Sequence, residues 1–268
     1  MEFCLSFWSG GYYKEISPYL VDVHRLCVNL ILKHYGKCRL ITDSHSKSFF
    51  KDVGFTEITT ELDCLSPSVN WALGKLHAYK VMASEGKPFC HVDYDVFLWK
   101  PLPEELLSSP VFCQSVENKV YDLYAFSMFE KHHVNRHFVV DTARRNYQQS
   151  YNVAIFGGND LSFIKKYAEQ SIAFSLDKEN EKCYRIMAEC QPQSVPCISE
   201  QYSLFTLCKK YEMPMSCLLK HLPDDPEDVF EKEASSKGYT HLAGHKSHPM
   251  VKQSIYLKLY ELGLKEIL

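Results

Sequence analysis

The strongest constraint on the fold is an alternation running through the first hundred residues. Short apolar runs, FCLSFW (3–8), CRLITD (38–43) and FTEIT (55–59), are separated by stretches with helical periodicity. Residues 18–35 start at Pro18, repeat apolar side chains at Leu20, Val23, Leu26, Cys27, Leu30 and Ile31, and stop at Gly36. SKSFFKDVG reads as a shorter helix. Residues 71–85 place Leu73, Leu76, Tyr79, Val81 and Met82 at helical spacing and stop at Gly86. Such alternation predicts an α/β domain, with a mainly parallel central sheet flanked by helices. In sheets of this kind ligands collect beyond the carboxyl ends of the strands.

A fourth run carries the feature that points to chemistry. In PFCHVDYDVFLWKPLP (88–103), the apolar run Phe89 to Val92 heads into two aspartates one residue apart, Asp93 and Asp95. A second apolar run, Val96 to Trp99, follows at once. On a strand, residues i and i+2 share a side. Two carboxylates so close repel each other in a low-dielectric setting, and a divalent cation removes that repulsion. Carboxylate oxygens suit Mg²⁺ or Mn²⁺, which also bind diphosphate oxygens. A bare Asp-x-Asp is common, and two solvated acids in a loop is the competing reading; the flanking apolar runs argue for the metal. The cluster Asp224, Asp225, Glu227 and Asp228 is the contrast, since it lies among prolines in the polar stretch 221–238 and reads as a solvated face.

Beyond residue 103 the pattern loosens. VFCQSV (111–116) and YNVAIFGG (151–158) read as strands, DLSFIKKYAEQ (160–170) and 199–211 as helices. The stretch 118–150, with His132, His133, Arg136, His137, Arg144 and Arg145, reads as an irregular helical insertion. From Val251 the chain is amphipathic, which predicts a helix docked on the domain, with a membrane-surface helix as the alternative. The chain has 268 residues, and no run approaches the ~18 consecutive apolar residues of a membrane span. Its first residues read as a strand and lack the basic region of a signal peptide. A net charge of −3 gives no overall basic excess for nucleic acid or an anionic surface. The 11 cysteines are odd in number and include no C-x-x-C pair, which reads as free thiols in a reducing compartment. The expected location is cytoplasmic, either free or peripheral at a membrane.

Several motifs then occur in a telling order. Residues 71–102 hold Lys75-Leu76 near a helix start, then a turn and the Asp-x-Asp strand. Asn152 lies at the start of YNVAIFGG, and Glu200-Gln201 begins a helix in SEQYSLF. THLAGHKSHP (240–249) holds His241, Gly244 and Lys246 ahead of Pro249. In these residues the chain resembles the glycogenin-like and lipopolysaccharide galactosyltransferase-like glycosyltransferases, which share the A-type nucleotide-diphospho-sugar transferase (GT-A) fold. It departs from that pattern at Ala154, which replaces a glycine, and at Glu200, which replaces an aspartate. Lys246 comes one residue early in the family's His-x-x-Gly-x-x-Lys-Pro-Trp, and the closing tryptophan is missing.

The resemblance implies a single GT-A-type domain over residues 1–268. Its nucleotide-binding half is 1–103, its acceptor and catalytic half 104–250, and 251–268 a C-terminal helix. It implies metal-dependent, retaining transfer of a hexose from a nucleotide-diphosphate sugar, a UDP-sugar, to an acceptor hydroxyl. Asp93, Asp95 and His241 would hold Mn²⁺ or Mg²⁺, with Asp93 shared between metal and ribose. Lys75, Gly244 and Lys246 would approach the diphosphate, and Asn152, Glu200 and Gln201 the sugar. Trp8, Gly10 and Tyr12, in the loop after the first strand, would meet the nucleoside, by stacking and by close backbone approach. Other readings stay open: a nucleotide-sugar-binding protein without turnover, a metal-dependent phosphohydrolase, zinc on His241, His245 and His248, and helix capping as the role of Ser199 and Glu200. The acceptor class, whether glycan, lipid-linked sugar or protein, is open too.

Overall fold

The computed structural model describes residues 1–11, 16–117, 149–190, 197–220 and 233–265. The first half runs β1 (Glu2–Ser6), α1 (Pro18–Tyr35), β2 (Arg39–Ile41), α2 (Ser44–Phe50), β3 (Glu57–Thr59), α3 (Ala72–Ser84), β4 (Phe89–Val92) and β5 (Val96–Leu98). The second half runs α4 (Glu104–Leu107), β6 (Phe112–Glu117), β7 (Ser150–Gly158), α5 (Leu161–Leu176), α6 (Lys178–Cys190), α7 (Ser203–Lys210), β8 (Ser216–Cys217), β9 (Tyr239–His241) and α8 (Pro249–Glu261). A π-helical turn, Ile198–Tyr202, leads into α7. The insertion expected over 118–150 lies almost wholly outside the described residues, as do its histidines and arginines.

Local chemistry places the helix ends. Ser17 accepts a hydrogen bond from Leu20 N and Pro18 opens α1, which closes where Gly36 takes a left-handed conformation. Asp43 caps α2 through Ser46 N, and Asp160 caps α5 through Phe163 N. The seven-stranded sheet has the order β3-β2-β1-β4-β7-β6-β8. β3, β2, β1 and β4 are parallel. β7 lies antiparallel between β4 and β6, and β8 runs parallel to β6. The mainly parallel sheet expected from the alternation is therefore present, with β7 as its reversed member. A second, two-stranded sheet pairs β5 with β9.

Strand side chains alternate between two apolar layers. Phe3 and Leu5 of β1 join the layer built on α1 and α8, while Cys4 joins the layer built on α3, α5 and α7. α8 docks through buried Ile255 and Leu259, and Lys265 just beyond it reaches Asp22 of α1 at 2.5 Å. No described helix is long and apolar enough to cross a membrane. The β4–β7 pairing leaves no room for a side chain at Gly157, where a Cβ would stand 1.9 Å from the Phe89 carbonyl oxygen. We expect Gly157→Ala to cost about 3 kcal/mol or more, because the obstruction is backbone and cannot swing away; urea titration against the wild type measures it.

Candidate functional site

The parity of β4 prepares the site. Phe89 and His91 point toward α3, where both rings pack on Tyr79. Asp93 follows at the same parity. Its N–H donates to the Ala154 carbonyl of β7 at 2.8 Å, and Val96 N–H donates back to the Asp93 carbonyl at 3.0 Å. The two acids thus stand in a turn between β4 and β5, not along one strand face. The turn splits their partners: Asp93 meets α3, and Asp95 meets β9 and the segment after it.

Asp93 Oδ1 lies 2.7 Å from Lys75 Nζ, which also lies 2.9 Å from Glu200 Oε1. Tyr79 Oη donates to the same Glu200 oxygen at 3.1 Å. Lys75 and Glu200 are buried, while the Asp93 side chain keeps 27% exposure and forms the open end of the cluster. Burial pulls Lys75 toward neutrality, but Asp93 and Glu200 outweigh it and hold the ammonium charged. Burial also raises the Asp93 pKa, opposed by Lys75 and reinforced by Asp95 and Glu200. Glu200 sits in the π-helical turn, where Tyr167 Oη donates to its carbonyl at 2.9 Å. Its side chain is an ion-pair partner of α3 and caps no helix.

Asp95 Oδ2 lies 2.8 Å from Lys246 Nζ, and Asp95 Oδ1 lies 3.9 Å from His241 Nε2. The short β5–β9 ladder makes this meeting, since it pairs Val96 with His241, and Leu242 N donates to the Asp95 carbonyl. Burial works to raise the Asp95 pKa; His241 and Lys246 overcome it and leave the carboxyl below its ordinary range. Burial lowers the His241 pKa against the pull of both aspartates, so the imidazole is neutral at physiological pH, with a lone pair to offer.

The ligand atoms of Asp93, Asp95 and His241 all lie within 4.8 Å of one another. A small hard cation binding at about 2.1 Å fits that triangle after slight side-chain closure. Two carboxylates and one neutral imidazole suit Mn²⁺ or Mg²⁺. The other two histidines of the segment stand apart from this group: His245 is exposed, and His248 Nδ1 accepts from Met250 N at the start of α8.

The remaining expected site residues divide. Trp8 is 7% exposed and its ring is enclosed; a Cβ on Gly10 would come within 2.7 Å of the indole, and one on Gly74 within 2.7 Å of Trp8 Cβ. Its visible task is to pack the loop that carries Gly10 onto α3. Tyr12 lies outside the described residues. Asn152 Nδ2 donates to Glu117 Oε1 at 2.6 Å, and its Oδ1 accepts from Ala154 N. Gln201 Oε1 is buried, with no hydrogen-bond partner among the described residues. Gly244 lies in the short 3₁₀ turn Ala243–His245, entered through a left-handed Ala243 with φ of 42°.

Sequence reasoning missed four contributors. Tyr79 lies one helical turn after Lys75, and an i,i+4 reading of α3 as a polar pair on an apolar helix could have found it. Asp43 receives both Ser9 N and Ser9 Oγ, tying the loop after β1 to the start of α2; its signal was Asp-Ser-x-Ser after a strand. Glu117 had no signal, because it gains meaning from its antiparallel neighbour Asn152. Tyr94 stacks on the buried His24 ring with centroids 4.6 Å apart, and Lys246 Nζ stands 4.8 Å from its centroid. Burial depresses the His24 pKa to about 4.

The sequence model described as "Family of unknown function (DUF6734)" matches residues 1–261. The chain belongs to that family. The match ends with the last residue of α8 and takes in every candidate site residue. No curated protein matches the sequence. Among solved structures, this DUF6734 member is similar to mouse xyloside xylosyltransferase 1 in its apo form. The TM-score is 0.45 and the identity 8%, over 81% of this chain and 84% of that one. It is also similar to galactosyltransferase LgtC in complex with donor and acceptor sugar analogues, with a TM-score of 0.47 and 7% identity over 96% of each chain.

The Lys75 cluster yields a test of its own. Lys75→Met would leave Asp93 and Glu200 facing each other with no cation between them. We expect a loss of about 3–5 kcal/mol in urea-unfolding free energy. Glu200→Gln should cost less, because the amide oxygen can still accept from Tyr79.

Proposed function

We propose that this chain is a metal-dependent glycosyltransferase that moves a hexose from a nucleotide-diphosphate sugar, a UDP-sugar, to an acceptor hydroxyl with retention of configuration. The observation that carries the reading is the convergence of Asp93, Asp95 and a neutral His241 beside two buried or half-buried lysines. Three oxygen and nitrogen donors at the carboxyl end of a parallel strand are what a cation-bound diphosphate requires.

Asp93, Asp95 and His241 would hold Mn²⁺ or Mg²⁺, which supplies Lewis-acid neutralisation of the departing diphosphate. Lys246, 2.8 Å from Asp95 Oδ2, would add a second positive charge beside the diphosphate, and Gly244 lies in the short turn just before it. Lys75 and Tyr79 hold Glu200 in one orientation, so that its side chain can stabilise positive charge developing on the sugar. Asn152 and Glu117, held against each other at 2.6 Å, offer a carboxamide and a carboxylate to sugar hydroxyls. The loop tied down by Ser9 and Asp43 is the candidate nucleoside contact, with Trp8 beneath it as support.

Thermal shift against UDP, GDP, CDP and dTDP, with and without Mn²⁺, tests the site directly. Saturation at a hundredfold excess over Kd stabilises by about 2.7 kcal/mol, so UDP with Mn²⁺ should raise Tm clearly and UDP alone much less. Absence of a metal-dependent shift with every nucleotide sinks the proposal. Asp95→Ala should abolish the shift and the release of UDP from a UDP-sugar together; survival of either removes Asp95 from the site. The stereochemical claim has a separate readout in anomeric NMR of the product, where an inverted centre contradicts retention.

A further inference from the structure

Ten cysteines, from Cys4 to Cys217, are free thiols. Two of them meet. Cys113 in β6 and Cys217 in β8 are register partners across the parallel pair, and their Sγ atoms are 3.7 Å apart. Neighbouring strands run about 4.8 Å apart, inside the Cα range that a disulfide spans. Register partners in a parallel pair also project to the same side of the sheet. The remaining step is closure of the sulfurs to about 2.05 Å by side-chain rotation.

The backbone on both sides can yield. β8 is a two-residue strand at the sheet edge, and β6 shifts register immediately after Cys113. The two thiols are also unequal. Cys113 is fully buried, whereas Cys217 is partly exposed. The hydrogen bond between them lowers the Cys217 pKa against the effect of burial, while burial first and Cys217 second raise that of Cys113. One sulfur is thus reachable and the better thiolate, with the other waiting beside it.

We propose that Cys113 and Cys217 are a reversible oxidation site at which a hydroperoxide converts the two thiols into a disulfide. The Cys217 thiolate attacks the peroxide, forming an S–O bond as the O–O bond breaks; the departing alkoxide or hydroxide takes up a proton. Cys113 then attacks the sulfenic sulfur, forming the S–S bond and releasing water. The two electrons lost by the sulfurs go to the peroxide, and a small dithiol returns them. The bond would fix the edge strand β8 to β6 and close a covalent loop between positions 104 residues apart. This site is independent of the transfer reading, and neither depends on the other.

The test is peptide mapping of the full wild-type chain by mass spectrometry, without reduction, after one equivalent of hydrogen peroxide. The expected product is a peptide pair joined through Cys113 and Cys217, lighter by two hydrogen atoms than the separate peptides and lost on dithiothreitol treatment. The oxidised protein should also unfold at higher temperature. Cys113→Ser should leave a sulfenic acid on Cys217 that dimedone traps. A link from Cys217 to Cys208, whose thiol lies near both, overturns the proposal. So does oxidation confined to Cys64, the exposed thiol, with Cys113 and Cys217 still reduced. The wild-type map alone decides the matter if a variant fails to fold.

Discussion

A single buried ammonium organises the centre of this molecule. Lys75 rises from the first turn of α3 into the space between Asp93 and Glu200. An unpaired ammonium there would be expelled or neutralised by desolvation, so the two carboxylates are a condition of the packing. Each belongs to a different part of the chain: Asp93 to the turn after β4, Glu200 to the π-helical turn before α7. The charge therefore fixes three elements relative to one another, and Tyr79 and Tyr167 complete the arrangement by donating to the Glu200 side chain and carbonyl. A π-turn is an uneconomical way to enter a helix; here it aims Glu200 inward.

The second constraint is the two-stranded ladder of β5 and β9. It is short, yet it joins residue 96 to residue 241. That pairing brings a neutral imidazole to the two aspartates and hangs the segment with Lys246 over Asp95. Tyr19 Oη holds the Lys246 carbonyl at 2.6 Å, and Tyr94 stands between that lysine and His24. A lysine thus faces each acid, Lys75 at Asp93 and Lys246 at Asp95. The balance leaves Asp95 ionised and lifts the Asp93 pKa, which gives two like groups different chemistry within one turn.

Much of the architecture was legible along the chain because its causes are local. Ser17, Pro18 and Gly36 bound α1, Asp43 caps α2, and the helix and strand periods alternate as a parallel sheet demands. The reversal of β7 was not legible, since a strand's direction depends on the partner it finds. The turn at Asp93 to Asp95 was half legible: the apolar flanks indicated burial, but the i,i+2 argument assumed strand geometry, and the hydrogen bond from Asp93 N to Ala154 ended the strand first. Position alone left Glu200 between a sugar contact and a helix cap, and its ion-pair partner Lys75 lies 125 residues earlier in the sequence.

The sequence by itself determined much of the inventory: the alternating strands and helices of the first hundred residues, where α1 starts and stops, and that two acids would be carried into an apolar setting at a strand end; the helix Lys178–Cys190 and the short strands β8 and β9 had no such signal. Those outcomes follow from short-range sterics, capping and periodicity. The tertiary structure alone decided the assignments: which lysine faces which aspartate, that His241 rather than His245 or His248 turns inward, that Trp8 supports its loop from below, and that Cys113 and Cys217 stand side by side. Each of these depends on how the elements pack, and two of them join residues more than a hundred positions apart, Asp95 with Lys246 and Cys113 with Cys217. Nothing in the local pattern around any one of them encodes the partner.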